Sequence, residues 1–346
     1  MLLLFACAGR DVPARVEPSF VEVELGDVET GTAEAPLPFS TEPVDVPVTV
    51  RTLDVNGEPW DFDGDLVVHV RPGRYDGDPW ITIADGEWSG TVAIYSGFGA
   101  TRIWFADEGD KDADSGRATS WATGVSEPFH FAWPTLAEAQ TTDDTETSPL
   151  EGEYGRFRAE DRQIVVTARD TAGLWVTDVA DAPGSFNSMY VYTFSRPDDA
   201  LYEGARVTLL AGIDQEYLAS TQLSWPTVET DGTELPVPDA VALDGCEDLV
   251  MEGLEASRVV VFEGTVPETF VEGSEEYTDF ELYGQWPLEA GGCTVYVESG
   301  TSAPDFWAPD HAGETLPEVS GMLKQVFDKW ILVVVDGEDI LTTDGR

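Results

Sequence analysis

The sequence predicts an all-β chain of several modules, and three observations carry that prediction. Short runs of alternating apolar and polar residues recur along most of the chain, the pattern of half-buried strands. Between them fall clusters of Gly, Asp, Asn and Pro, with NG and DG pairs that favour tight hairpins. Amphipathic helical periodicity is nearly absent. The chain has 346 residues, 42% apolar and 11% aromatic. That suffices for two or three domains with real cores and argues against disorder.

The first strands are VEVEL (21–25), VPVTVRT (46–52), LVVHV (66–70), TVAIY (91–95), TRIWF (101–105) and FHFAW (129–133). The stretches VNGEP, DFDGD, RPGRYDGDP, ADGEWSG and SGFGA separate them as turns. Six or seven short strands over about 115 residues suggest an Ig-like β-sandwich, assigned to 17–135. No Cys…Trp…Cys signature accompanies it, so the likeness is one of architecture. Residues 136–155, rich in Thr, Asp, Glu and Ser, read as an acidic linker. A strand pattern then resumes with QIVVTA (163–168), LWVTD (174–178), MYVYTF (189–194), RVTLLAG (206–212) and TQLSW (221–225).

These five strands, closing on GARVTLLAGIDQEYLASTQL, resemble the OB-fold-like domains of bacterial exported proteins, including those attached to some secreted nucleases. The resemblance implies an OB-like β-barrel over 156–240. The last third repeats the order: SRVVVFEGTV (257–266), DFELYG (279–284) as a strand, CTVYVES (293–299), then GETLPEVSGMLKQVFDKWILV. This final stretch shares with GARVTLLAGIDQEYLASTQL a Gly, a strand, a second Gly, an aromatic and a closing strand. A repeat spaced by roughly 100 residues means tandem domains rather than a solenoid. A second OB-like β-barrel module is therefore expected over 241–346.

The charge narrows the partners. Sixty-seven acidic residues against 18 basic ones leave a net charge of −49. Such a field repels phosphate backbones and anionic membranes and attracts cations; it also serves plainly as a solvated surface. No run of 18 apolar residues is present for a membrane-spanning helix. In DEGDKDADSG, Asp110, Asp112 and Asp114 alternate as Ca²⁺ ligands would. Ser115 stands where an EF-hand needs Gly and Trp121 where it needs Glu, so the stretch is a looser Ca²⁺ loop or a solvated acidic one. Ca²⁺ is the one candidate cofactor. His69, His130 and His311 are isolated, and HExxH, GxSxG, P-loop and GxGxxG motifs are all missing. Trp175, Tyr190, Tyr192 and Trp225 are candidate stacking platforms for sugars or bases, as on the strand face of an OB-fold, or else core residues. Residues 155–240 hold six Arg, no Lys and fourteen acidic side chains, which disfavours nucleic acid.

Near the start, Leu4-Phe5-Ala6-Cys7 resembles a bacterial lipobox, with 1–16 as a truncated lipoprotein signal and tether. The whole chain resembles multi-domain lipoproteins of Gram-negative bacteria that join Ig-like and OB-like modules. That resemblance implies an outer-membrane lipoprotein, periplasmic or facing the cell surface, which meets the membrane only through lipid on Cys7. Cys246 and Cys293 are then left as a disulfide in an oxidising compartment, or as a pair of reduced buried thiols. The expected function is a non-enzymatic binding or scaffolding protein whose partner is a protein or a glycan. The alternatives are a carbohydrate-binding or nuclease-accessory protein, or a hydrolase with an acidic site. Mass spectrometry of the native N-terminus tests the anchor: a mature chain beginning at an acylated Cys7 is expected, and an unmodified Cys7 within a longer peptide overturns it.

Overall fold

The computed structural model describes residues 19–26, 31–108, 122–143, 147–300 and 302–343. Cys7, Asp110, Asp112 and Asp114 lie outside the described residues. The chain divides into two compact units between Phe131 and Ala132.

In the first unit the described residues form β1 (Phe20–Leu25), β2 (Val44–Leu53), β3 (Gly64–Arg71), β4 (Arg74–Tyr75), β5 (Trp80–Ile83), β6 (Glu87–Tyr95), β7 (Gly99–Ala106), β8 (Thr123–Val125) and β9 (Phe129–Phe131). One open sheet runs β1-β2-β6-β4; the other runs β5-β3-β7-β8, with β9 also on β7. Alternation sets the layering: Val46, Val48 and Val50 of β2 point inward, as do Leu66, Val68 and Val70 of β3. They join Val92, Ile94, Ile103 and Phe105 in one core, making a β-sandwich. Gly124 of β8 passes so close to β1 that a Cβ there would sit 2.0 Å from the Val21 carbonyl oxygen. β4, β5 and β8 escaped the sequence pattern because runs of two to four residues are too short to display a period. Two carboxylates of DFDGD have structural partners: Asp63 accepts from Asp85 N–H in the turn before β6, and Asp65 accepts from the Thr82 hydroxyl across the β3–β5 pair.

The second unit contains two closed five-stranded barrels. The described elements before and within the first are α1 (Leu136–Gln140), β10 (Tyr154–Phe157), β11 (Ile164–Arg169), β12 (Gly173–Asp178), β13 (Ser188–Tyr192), β14 (Ala205–Tyr217) and β15 (Ser220–Glu234). Then follow β16 (Val241–Ala242), α2 (Asp248–Gly253), β17 (Arg258–Thr265), α3 (Glu275–Tyr283), β18 (Gln285–Ala290), β19 (Cys293–Glu298), β20 (Thr315–Val326), β21 (Lys329–Val333) and β22 (Ile340–Leu341). The first barrel closes as β11-β12-β13-β15-β14, with β10 alongside β14; the second closes as β17-β18-β19-β21-β20. Both use one order, first-second-third-fifth-fourth, and in each the third and fifth strands are parallel. This is OB-like closure, and it removes the free edges of the sheet.

The paired glycines read from the sequence occupy matching places in these barrels. A Cβ on Gly212 of β14 would lie 2.8 Å from the Ser224 carbonyl oxygen, and one on Gly321 of β20 would lie 2.5 Å from that of Val333. In both barrels the fourth strand therefore needs a residue without a side chain where the fifth strand presses against it.

Three expectations change. Residues 279–284 (DFELYG) are not a strand but the end of α3 and its cap. Ser274 accepts from Tyr277 N–H at the start, and Gly284 ends the helix with φ 71°. Phe280 is buried while Leu282 and Tyr283 are exposed, so an apparent alternation is one helical turn. Residues 136–155 are not a bare linker: a capping box between Thr135 and Glu138 starts α1, and Leu136, Ala139 and Leu150 are buried. β18 is an additional strand masked by Pro287, tolerated because β18 meets β17 only at Thr265–Glu289.

Cys246 and Cys293 are bonded, with Cα atoms 5.8 Å apart. The bond ties the connector between the barrels to the start of β19. Replacing both cysteines by serine is expected to lower the unfolding free energy by about 4 kcal/mol for a 47-residue loop, read from urea unfolding. An unchanged midpoint would show that the connector needs no staple.

Candidate barrel-junction site

The register of the first barrel builds one row of side chains across four strands. Trp175 of β12 stands opposite Tyr190 of β13. Tyr190 stands beside Gln222 of β15, and Gln222 opposite Gln215 of β14. Two residues further on, the same face presents Tyr192 beside Ser224. Gly173, across from Tyr192, has no room for a side chain: a Cβ would lie 2.5 Å from the Tyr190 hydroxyl.

The second barrel covers part of this face. Trp175, Ala168, Ala256 and Met322 form a small buried cluster between the barrels. Beyond it a cavity of about 490 Å³ remains, walled on one side by the aromatic and amide row and on the other by Glu298, Leu323, Lys324, Gln325 and Val333. Trp175 is buried, while Trp225 is 67% exposed at the rim. Tyr192, Phe194 and Trp225 form a continuous run with successive centroids 4.5 Å apart and planes tilted by 48° and 42°. Trp175 and Tyr190 pack at 4.8 Å. All four aromatics named from the sequence thus line one cavity.

The polar groups are largely committed. The Tyr190 hydroxyl donates to Asp170 Oδ2 at 3.0 Å, and Asp170 Oδ1 accepts from the Ala172 and Gly173 N–H groups. Burial, reinforced by the Asp170 charge, pushes the Tyr190 phenol well above its usual value, so it remains a neutral donor. Lys324 Nζ donates to Glu298 Oε2 at 3.0 Å, which also accepts from Gln285 Nε2. Ser224 Oγ donates to Gln215 Oε1 at 2.9 Å. Gln325 Nε2 donates to the Phe327 carbonyl oxygen, while its buried Oε1 has no partner among the described residues. The wall therefore offers amides, hydroxyls, two carboxylates and one ammonium.

Several rim residues hold left-handed backbone without being glycine: Phe194 (φ 61°), Leu218 (φ 57°), Ala219 (φ 68°) and Trp225 (φ 52°), with Phe327 (φ 55°) at the neighbouring tip. Such conformations cost about 1–3 kcal/mol each and collect at functional sites. The β14–β15 and β20–β21 hairpin tips touch, Phe327 N–H donating to the Leu218 carbonyl oxygen at 2.7 Å.

The sequence alone pointed to the aromatic row but not to the opposite wall. Phe194 continues the period-2 pattern of Tyr190 and Tyr192 and was recoverable from it, whereas Gln222 and Ser224 are out of step with Trp225, whose left-handed backbone breaks the alternation. Glu298, Lys324 and Gln325 come from the other barrel and carry no local signal. Among the described residues, no group of three or more His, Cys, Asp or Glu side chains gathers around a metal position. His69 stacks on Trp104, and His311 stacks on Phe306 and bonds to Glu314. No protein-family model matches the chain, and no curated protein matches it in sequence.

Behind the cavity, the buried Glu255 carboxylate accepts from Thr221 N–H at 3.0 Å and from Gln325 N–H at 3.3 Å. Burial raises its pKa from 4.5 to about 7, and nearby Glu216 adds to the rise; the donors at Ser220, Thr221 and Gln325 oppose it. The folded protein thus binds a proton more tightly than the unfolded chain. The resulting stability is fully present below pH 4.5 and is lost as pH rises through about 7. Relative to Glu255→Gln, the wild type is expected to lose about 3 kcal/mol between pH 4.5 and 8 in urea unfolding. A difference independent of pH would exclude a titrating Glu255.

Proposed function

We propose that the barrel pair is a non-enzymatic carbohydrate-binding module that holds a neutral glycan in the cavity at the barrel junction. The observation that carries this reading is the aromatic run Tyr192-Phe194-Trp225 beside a wall of amides and hydroxyls. Sugar rings present apolar C–H faces to aromatic planes and hydroxyls to amides, so the two kinds of surface match one ligand. The face concerned, on the second and third strands with the loop between the fourth and fifth, is where OB-like barrels take oligosaccharides and oligonucleotides. The lining carries two carboxylates and one ammonium within a chain of net charge −49, which favours the uncharged ligand over a phosphate-bearing one.

Asp170 and Glu298 support a binding rather than a hydrolytic role. Each already accepts hydrogen bonds from two or more protein donors, a use that orients walls rather than moves protons. In this reading the first unit is an Ig-like spacer, supported by two antiparallel sheets over a shared core. Export and lipid anchoring through Cys7 complete the proposal of a glycan-binding surface lipoprotein.

A glycan array followed by calorimetry tests the function. Trp225→Ala is expected to weaken the bound glycan by about tenfold, the worth of one aromatic stack, with the melting temperature unchanged because the ring is mostly exposed. Failure of every neutral glycan to bind overturns the reading. Turnover of a glycan that disappears in Asp170→Asn or Glu298→Gln would replace it with a hydrolase.

A further inference from the structure

The junction cavity has a neighbour. A cleft of about 1150 Å³ adjoins it, and the two share Asp170, Trp175, Glu298 and Val333 as walls. The far side of this cleft comes from α3 and the connection between β19 and β20, neither of which belongs to the first barrel. Trp307 there is 52% exposed and Tyr283 62%. The Trp307 indole is held by an edge-on contact to Phe280, with centroids 4.9 Å apart. Gly284 and Gly300 bring two stretches of backbone together beside it: a Cβ on Gly284 would lie 2.9 Å from the Gly300 Cα. This part of the cleft is therefore lined by bare backbone next to an exposed ring, an arrangement open to an extended ligand.

Resting on the carbohydrate reading above, we infer that the two clefts are one groove for a single, soluble oligosaccharide chain, with Trp225 and Phe194 as the platform at one end and Trp307 as a second platform at the other. Size supports a chain over a mono- or disaccharide, since the adjoining cleft alone passes the ~1,000 Å³ upper range of small-molecule pockets. Ring geometry selects the form of the glycan. The planes of Tyr192, Phe194 and Trp225 turn by 48° and then 42°. A flat crystalline polysaccharide face needs coplanar rings; a twisted single chain follows turned ones. Charge again selects a neutral chain: the adjoining cleft adds Arg169 and Glu281, one of each sign.

Calorimetric titration of the full chain with malto-, cello-, xylo- and laminari-oligosaccharides, from two to six units, tests this. In a series that binds, affinity is expected to rise with length beyond three units. Trp307→Ala is expected to remove that gain, about tenfold at six units, while leaving the disaccharide unchanged. Trp225→Ala is expected to weaken every length. Should Trp307→Ala lower the melting temperature, Tyr283→Ala carries the same expectation from an exposed position. Equal affinity at all lengths, or an equal loss for two and six units in Trp307→Ala, overturns the extended groove and leaves the junction site standing. No binding by any of these series or by any neutral glycan of the array overturns both.

Discussion

The second unit turns on one buried carboxylate. Glu255 lies in the connector between the barrels and accepts a backbone hydrogen bond from each of them, Thr221 of the first and Gln325 of the second. Its neighbours extend the seam. Ala256 N–H donates to the Leu323 carbonyl oxygen, Leu323 N–H returns a bond to Ser257, and Ser257 Oγ reaches Ser188 Oγ. Backbone groups at the junction would otherwise lose water without gaining partners, at a cost of about 1–3 kcal/mol each. The carboxylate removes that cost for two of them, and its own burial shows as a raised pKa. The separation of the barrels, and with it the width of the cavity, follows from this seam.

A cavity results because the docking is incomplete. The second barrel covers Trp175 but leaves Tyr192, Phe194 and Trp225 progressively more open toward the rim. Two features border the space. Gly173 yields room to Tyr190, whose hydroxyl is anchored on Asp170. The hairpin tips, with left-handed residues at Leu218, Ala219 and Phe327, bond to each other through Phe327 N–H and the Leu218 carbonyl oxygen. Local conformational cost at the tips is offset by the packing of both barrels, each with a fully buried core.

Electrostatics explains where the few cations went. Arg162 bridges the fully buried Asp178 and Asp181, Arg258 meets buried Asp339, and Lys329 meets Asp279. A buried carboxylate without such a partner is strongly destabilising, whereas exposed ion pairs contribute little. Much of the scarce positive charge therefore sits where carboxylates lose water, while Glu255 is held by backbone donors instead. Lys324, one of three lysines, is the cation at the cavity and is held by Glu298.

Sequence pattern alone identified the strand content, the alternating faces, the tandem repeat and the aromatic positions 175, 190, 192 and 225, because each depends on periodicity or on spacing within one module. It misread DFELYG, where a single helical turn mimics alternation, and it missed β18, where Pro287 hides a strand whose neighbour scarcely pairs with it. It described 136–155 by composition and so overlooked Leu136 and Leu150, whose burial depends on the barrel beneath them. Three-dimensional packing alone reveals that the aromatic row faces a cavity, that Glu298, Lys324 and Gln325 form its other wall, and that a second cleft lined by Trp307 lies beside it. Those residues lie on the other barrel, far away in sequence. Docking two closed barrels through a buried carboxylate is a long-range event that no local pattern encodes.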